Sequence, residues 1–314
     1  MLLLFDWIPV MFYNFGRGSC EAAFCGNPFG ILKDWLYIGK GTSPLAEMFK
    51  TGGVVENMFN AFSGIAGMLI MLYFVLFLYE EFVRHGEATL QMFEKILLKF
   101  GLAFLIMING LPLVTGFCKM GDVLIDITEG AFSKDNENSL SVMRDICSQF
   151  GYYPDENGHI PVADEDKPNF GLSKEGYELY NKFSAGDYLC NSCQLLAMNL
   201  VSIVVSVIAV TTAITRTIQI IVYASLSPLA IADIFGDGMS SRGIRFFKKL
   251  FAVAVQGPII YFICQLHPVL SGYALKADSG LIGGIGSIAA YFAVVFAILA
   301  ALKKAEKFAS DIIL

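Results

Sequence analysis

Long apolar runs separated by short clusters of charge dominate the chain. A spanning helix needs about 20 mostly apolar residues. Five stretches meet that length: 58–79, which carries no charge; 100–118, interrupted by Asn109 and Pro112; 195–214; 246–267, basic at its start; and 281–302. A further apolar stretch, 217–235, follows 195–214 with no turn signal, since Thr215-Arg216-Thr217 contains neither Gly nor Pro. The two are read as one helix over 195–227, roughly 50 Å long at the standard rise. Pro228 is expected to break that helix, and 236–243, with three glycines, to turn the chain back. Residues 1–15 are too short to span and have no basic residue ahead of their apolar part, as a secretory signal would. With Trp7, Phe12 and Tyr13 they read as a stretch lying at the membrane interface.

The expected class is all-α: a polytopic helical membrane protein of about five transmembrane helices, with a small helical acidic domain outside. Composition agrees, because 16% charged residues is well below the roughly 25% of a soluble domain. Charge also orients the chain. Segments 80–99, 215–250 and 303–314 hold 11 basic residues in 68 positions, whereas 1–56, 119–194 and 269–280 hold 11 in 144. The denser set is assigned to the cytoplasm, which places the N-terminus outside and the C-terminus inside. A sixth span would move Arg242, Arg245, Lys248 and Lys249 to the outer side, against that tendency. The expected organisation is therefore an outer or interfacial segment 1–56, the first two transmembrane helices in 57–118, and an acidic outer domain 119–194. The last three helices fall in 195–314, with a cytoplasmic loop 215–250. The outer domain has 14 acidic and 6 basic residues. In it Leu140, Met143, Cys147 and Phe150, and later Tyr177, Tyr180 and Phe183, recur at helical spacing. A net charge of −6 argues against a dedicated nucleic-acid binder, which would show a basic domain or stripe.

Candidate chemistry is sparse. On this topology Cys20, Cys25, Cys147, Cys190 and Cys193 lie outside and Cys118 at the outer end of its helix. Six thiols in an oxidising space read as candidate disulfides, with Cys20–Cys25 and Cys190–Cys193 the shortest pairings. Free thiols, or a redox or zinc role for the Cys190–Cys193 pair, are the alternatives. Asn199, Ser202, Ser206, Ala209, Thr212 and Arg216 share one face of the long helix, which suits close helix packing or the lining of a hydrated passage. Arg216 is expected near the cytoplasmic boundary, where its side chain can snorkel. In the last span Gly280, Gly283, Gly284 and Ser287 form a small-residue surface suited to helix association. Asp233 and Asp237 sit in a glycine-rich turn beside Gly236, where capping or ion pairing fits better than an intramembrane protease dyad. His85, His159 and His267 are far apart, and there is no nucleotide loop, nucleophile elbow or HExxH. Neither a cofactor, a metal nor an enzymatic activity is expected.

One segment resembles a known family. A long helix carrying Arg216 ends in Ser225-Leu226-Ser227-Pro228-Leu229-Ala230. A glycine-containing turn follows, then Arg245-Phe246-Phe247-Lys248-Lys249, then a span with Gln256-Gly257-Pro258. This resembles the TrbL-like polytopic inner-membrane subunit of bacterial type IV secretion and conjugation systems, the sixth VirB component. The motif covers about 45 residues, and the layout of spans is similar over the whole chain. Many members have a Trp after the turn, where this chain has Phe and Lys, which leaves the subfamily open. The resemblance implies residence in the bacterial inner membrane and a non-enzymatic, homo-oligomeric ring. Such a ring helps pass protein or nucleoprotein outward, touching the substrate only transiently. Its partners would be separate ATPases, the inner-membrane bitopic subunit, stalk or pilus subunits, and membrane lipid. A small-molecule transporter is the alternative. That class places ionisable residues at mid-membrane and shows paired repeats, and the sequence has no visible repeat.

Overall fold

The computed structural model describes residues 7–25, 30–37, 43–85, 90–133, 144–155, 159–162, 185–237, 242–275 and 281–313. Among them 92% are helical and none is in a strand. The helices are α1 (Trp7–Cys20, continued by a π-helical turn Glu21–Cys25), α2 (Gly30–Leu36), α3 (Pro44–Met48), α4 (Val54–His85), α5 (Leu90–Ile108), α6 (Gly110–Ser133), α7 (Ala185–Asp237), α8 (Arg242–Leu275) and α9 (Leu281–Ile313). Four of the described helices contain stretches long and apolar enough to cross a membrane: Val54–Val83, Leu189–Phe235, Arg242–Leu275 and Ile288–Ile313. The bent pair Ile96–Ile108 and Gly110–Phe132 makes a fifth if counted as one span. In the most apolar window of α4 only 11% of residues are buried, and Met68, Met71, Val75 and Leu76 stand open. Water penalises such a face over its whole length. A bilayer does not, and the protein is a polytopic α-helical membrane protein.

One expected interruption is present, and one expectation about a helix break needs correction. The stretch 100–118 is interrupted at Asn109, where α5 and α6 meet with a bend of 58°. Pro112 has no N–H for the carbonyl four residues back. The Asn109 side chain and backbone N–H both donate to the Leu105 carbonyl, at 2.9 and 3.2 Å. Pro228, conversely, does not end its helix. It lies inside α7, which runs 53 residues to Asp237. The carbonyl that Pro228 cannot bond is that of Ala224, and the Ser227 hydroxyl donates to it at 2.8 Å. A Pro whose orphaned carbonyl is taken up locally is tolerated mid-helix. The next helix, α8, begins at Arg242.

The chain divides into two compact units. The first comprises Met1–Leu32, Ile127–Thr212 and Ile260–Lys303. Here Cys20 is bridged to Cys147, Cα atoms 6.4 Å apart across 127 residues of sequence. The rings of Tyr13 and Tyr152 pack at 5.1 Å. The Glu21 carboxylate accepts from Arg17 and from the Ile160 N–H, and Ser192 donates to the Phe12 carbonyl. Burial pushes the Tyr152 hydroxyl up to about 12, with Ser192 beside it acting in the opposite direction. Leu140, Met143, Tyr177, Tyr180 and Phe183 lie outside the described residues, whereas residues 144–149 are helical and Cys147 and Phe150 are buried.

The second unit comprises Lys33–Asp126, Ala213–Ile259 and Lys304–Leu314. One apolar cluster joins Leu45 of α3, Val55, Val114, Cys118, Ile220, Ala224, Leu250 and Val253. Another joins Ala66 and Ile70 of α4 to Ala103 and Met107 of α5 and to Ile231 and Ala232 of α7. Gly110, at the bend, has no side chain where a Cβ would lie 3.0 Å from Ile231 and 3.1 Å from Phe59.

Candidate functional site

An arginine inside an apolar bundle must find hydrogen-bond acceptors, because its charge is costly to strand there. Most helix carbonyls are already used. Those still available lie at helix ends and four residues before a proline. Arg216, in the middle of α7, is fully buried and reaches both kinds. Its Nη1 donates to the Leu36 carbonyl at 2.9 Å, where α2 ends. Its Nη2 donates at 3.1 Å to the carbonyl of Ala254, the residue four before Pro258. Its Nε donates to the adjacent Val253 carbonyl at 3.0 Å.

Space for the guanidinium comes from two glycines. A Cβ on Gly257 would lie 2.7 Å from both Nη atoms, and one on Gly121 would lie 2.7 Å from the Ala254 carbonyl and 3.4 Å from Nη2. Asp122, also buried, and Cys118, one turn earlier on α6, are within electrostatic range of Arg216. The neighbouring Thr217 hydroxyl donates to the Trp35 carbonyl at 3.2 Å, and the Tyr37 hydroxyl donates to Asp126 at 2.9 Å. Three consecutive residues, Trp35, Leu36 and Tyr37, are thus held by α7 and α6. The expectation that Arg216 snorkels is overturned, since the whole side chain is enclosed and each of its nitrogens bonds a backbone carbonyl. The arrangement ties helices together and offers no open donor face to a ligand.

The rest of the predicted polar face of α7 is its buried face in the first unit. Ser202 is 3% exposed and its hydroxyl is 2.9 Å from that of Tyr291 on α9, whose ring meets His267 of α8 edge-on at 6.3 Å. Asn199 and Ser206 flank Ser202, and Ser271 follows His267 by one turn. The Asn199 Oδ1, Ser206 Oγ and Ser271 Oγ are buried and have no hydrogen-bond partner among the described residues. Thr212 bonds back to the Ile208 carbonyl. Gly283, Gly284 and Ser287 lie in the first turns of α9, but their surroundings, like Gly280, fall outside the described residues.

The cysteine pairings differ from the shortest ones. Cys20 pairs with Cys147 and not with Cys25, whose side chain lies outside the described residues. Cys190 and Cys193 are free and exposed on α7, and Cys118 is free and buried in α6. A helix holds residues three apart on one face with their Cβ atoms about 5–6 Å apart, too far for a bridge without moving the backbone. Asp233 caps α8, its carboxylate accepting from the Gly243 N–H at 2.7 Å. Gly236 and Asp237 end α7, and Arg242, Arg245, Lys248 and Lys249 occupy the first turns of α8. Among the described residues no group of three His, Cys, Asp or Glu could hold a metal ion.

Sequence reasoning passed over Gly121, Asp122 and Tyr291 and gave Gly257-Pro258 no physical role. The usable signal was a Gly-Pro pair inside one apolar span, which frees a carbonyl, combined with an Arg inside another. Compared with protein families, curated proteins and solved structures, the chain gives no match.

Proposed function

We propose that the chain is an inner-membrane channel or scaffold subunit of a bacterial type IV secretion system, assisting transfer of protein or nucleoprotein across the inner membrane. The reading places the N-terminus outside and the C-terminus in the cytoplasm. It also gives the chain a homo-oligomeric ring with the system's ATPases, bitopic subunit and stalk or pilus subunits as partners. The observation that carries it is the Arg216 site. The arginine of the long helix and the Gly257-Pro258 of the following span, both within the segment resembling TrbL-like subunits, are joined there directly. They form one buried unit. Deleting the gene in its host and measuring conjugative transfer or effector delivery tests the reading. Transfer should fall to background and return with the wild-type gene, but not with Gly257→Leu. Undiminished transfer in the deletion strain would end the proposal.

The second reading, a small-molecule transporter, draws on the three unpartnered polar atoms of Asn199, Ser206 and Ser271. Unpartnered buried polar groups are natural sites for water or a polar solute. Arg216, an arginine inside a span, does not favour that reading, because its nitrogens are committed to the protein's own carbonyls. Loss of uptake of a specific solute in the deletion strain, with transfer intact, is the outcome that would favour it.

A further inference from the structure

A second polar site lies in the second unit, in a cavity of about 130 Å³ lined by Tyr223 of α7, Lys249 and Gln256 of α8, and Glu306 and Ser310 of α9. That volume has room for about four waters, so it suits a small group and not a nucleotide. Two features ask for a ligand. Gln256 is 4% exposed, yet its amide oxygen has no hydrogen-bond partner among the described residues. A buried acceptor left so costs about 1–3 kcal/mol, which a donor entering the cavity would recover. Lys249 and Glu306, of opposite charge, line the same cavity, and neither is in an ion pair among the described residues. The Tyr223 ring is held edge-on by Phe246 at 5.1 Å, so this part of the wall is preset.

The position in the chain says where such a ligand comes from. Lys249 follows Arg245 and Lys248 at the start of the candidate span Arg242–Leu275. Glu306 lies among Lys303, Lys304 and Lys307 near the end of the candidate span Ile288–Ile313. Basic clusters at the ends of spans sit at the level of lipid headgroups. The occupant must give an anion to Lys249 and N–H donors to Glu306 and to the Gln256 oxygen. A phosphate joined to a primary ammonium supplies both. A trimethylammonium head has no N–H, and a phosphoglycerol head has no cation.

We propose that this cavity is a lipid site that selects the phosphoethanolamine headgroup of a membrane phospholipid. The test uses the full chain, purified in detergent and delipidated, with binding read by native mass spectrometry and by thermal shift. Phosphatidylethanolamine, phosphatidylcholine and phosphatidylglycerol with the same acyl chains are compared. The ethanolamine lipid should bind about tenfold tighter than the choline lipid, the equivalent of one charge-assisted hydrogen bond. Lys249→Met and Glu306→Gln alter exposed side chains and should leave the melting temperature in detergent alone unchanged while removing the preference. Equal binding of the ethanolamine and choline lipids overturns the proposal, as does a preference that survives both substitutions. Binding of free glycerophosphoethanolamine as tightly as the lipid would assign the cavity to a soluble zwitterion and overturn the lipid assignment. None of these outcomes depends on whether the chain serves secretion.

Discussion

Removing the Arg216 side chain would leave the carbonyls of Leu36, Val253 and Ala254 without the donors they now share. Breaking one side of a buried charged network typically costs about 3–5 kcal/mol, so Arg216→Ala should lower the melting temperature in detergent strongly. Arg216→Lys should recover only part of the loss, since an ammonium cannot fork between carbonyls on two helices as a guanidinium does. Gly257→Ala alone should also destabilise, because its Cβ would meet the guanidinium. In the Arg216→Ala background the same methyl enters vacated space, so the double variant should cost clearly less than the two single changes together. A melting series showing simple additivity would mean that Gly257 is not there to make room for Arg216. The sequence showed the Arg and the Gly-Pro separately. Their meeting depends on how two helices pack, and single-chain periodicity carries no such information. The same limit applies to Cys20. Its short-range partner Cys25 was the economical choice, whereas its actual partner lies 127 residues away.

At the scale of elements, length and hydropathy were enough to find the spans, because a bilayer sets a minimum apolar length that the sequence displays directly. Breaks were harder to read. Pro228 stays inside α7 because one neighbouring hydroxyl answers the Ala224 carbonyl, and a general rule about proline cannot see that. Ser227→Ala should cost about 1 kcal/mol in the wild-type chain and close to nothing beside Pro228→Ala, whose restored N–H takes over the carbonyl. Thermal unfolding of the four variants decides it, and an equal cost in both backgrounds would remove Ser227 from this role. At Asn109 the outcome is reversed, with the chain bending by 58°. Asn109 bonds back into α5, while Pro112 and the small Gly110 follow within one turn. The interruption was visible in the sequence, but its angle was not.

At the scale of the whole molecule an apolar chain is solvated by lipid, with fixed points both inside the spans and outside them. The Cys20–Cys147 bridge is one of these. Peptide mapping without reductant should find it closed while Cys190 and Cys193 react with a thiol reagent, and opening so long a loop should cost about 2–5 kcal/mol. A bridge between Cys190 and Cys193 would contradict the free thiols on α7. In the proposed topology α5 and α6 together make one crossing, and α7 passes Pro228 without turning back. Single cysteines at Asn157 and Ser240, in a chain whose Cys190 and Cys193 are serine, report this directly through an impermeant maleimide. In intact spheroplasts the account predicts labelling at position 157 and none at 240, which should react only after lysis. Labelling at both positions before lysis would mean an even number of crossings between them and would contradict the account.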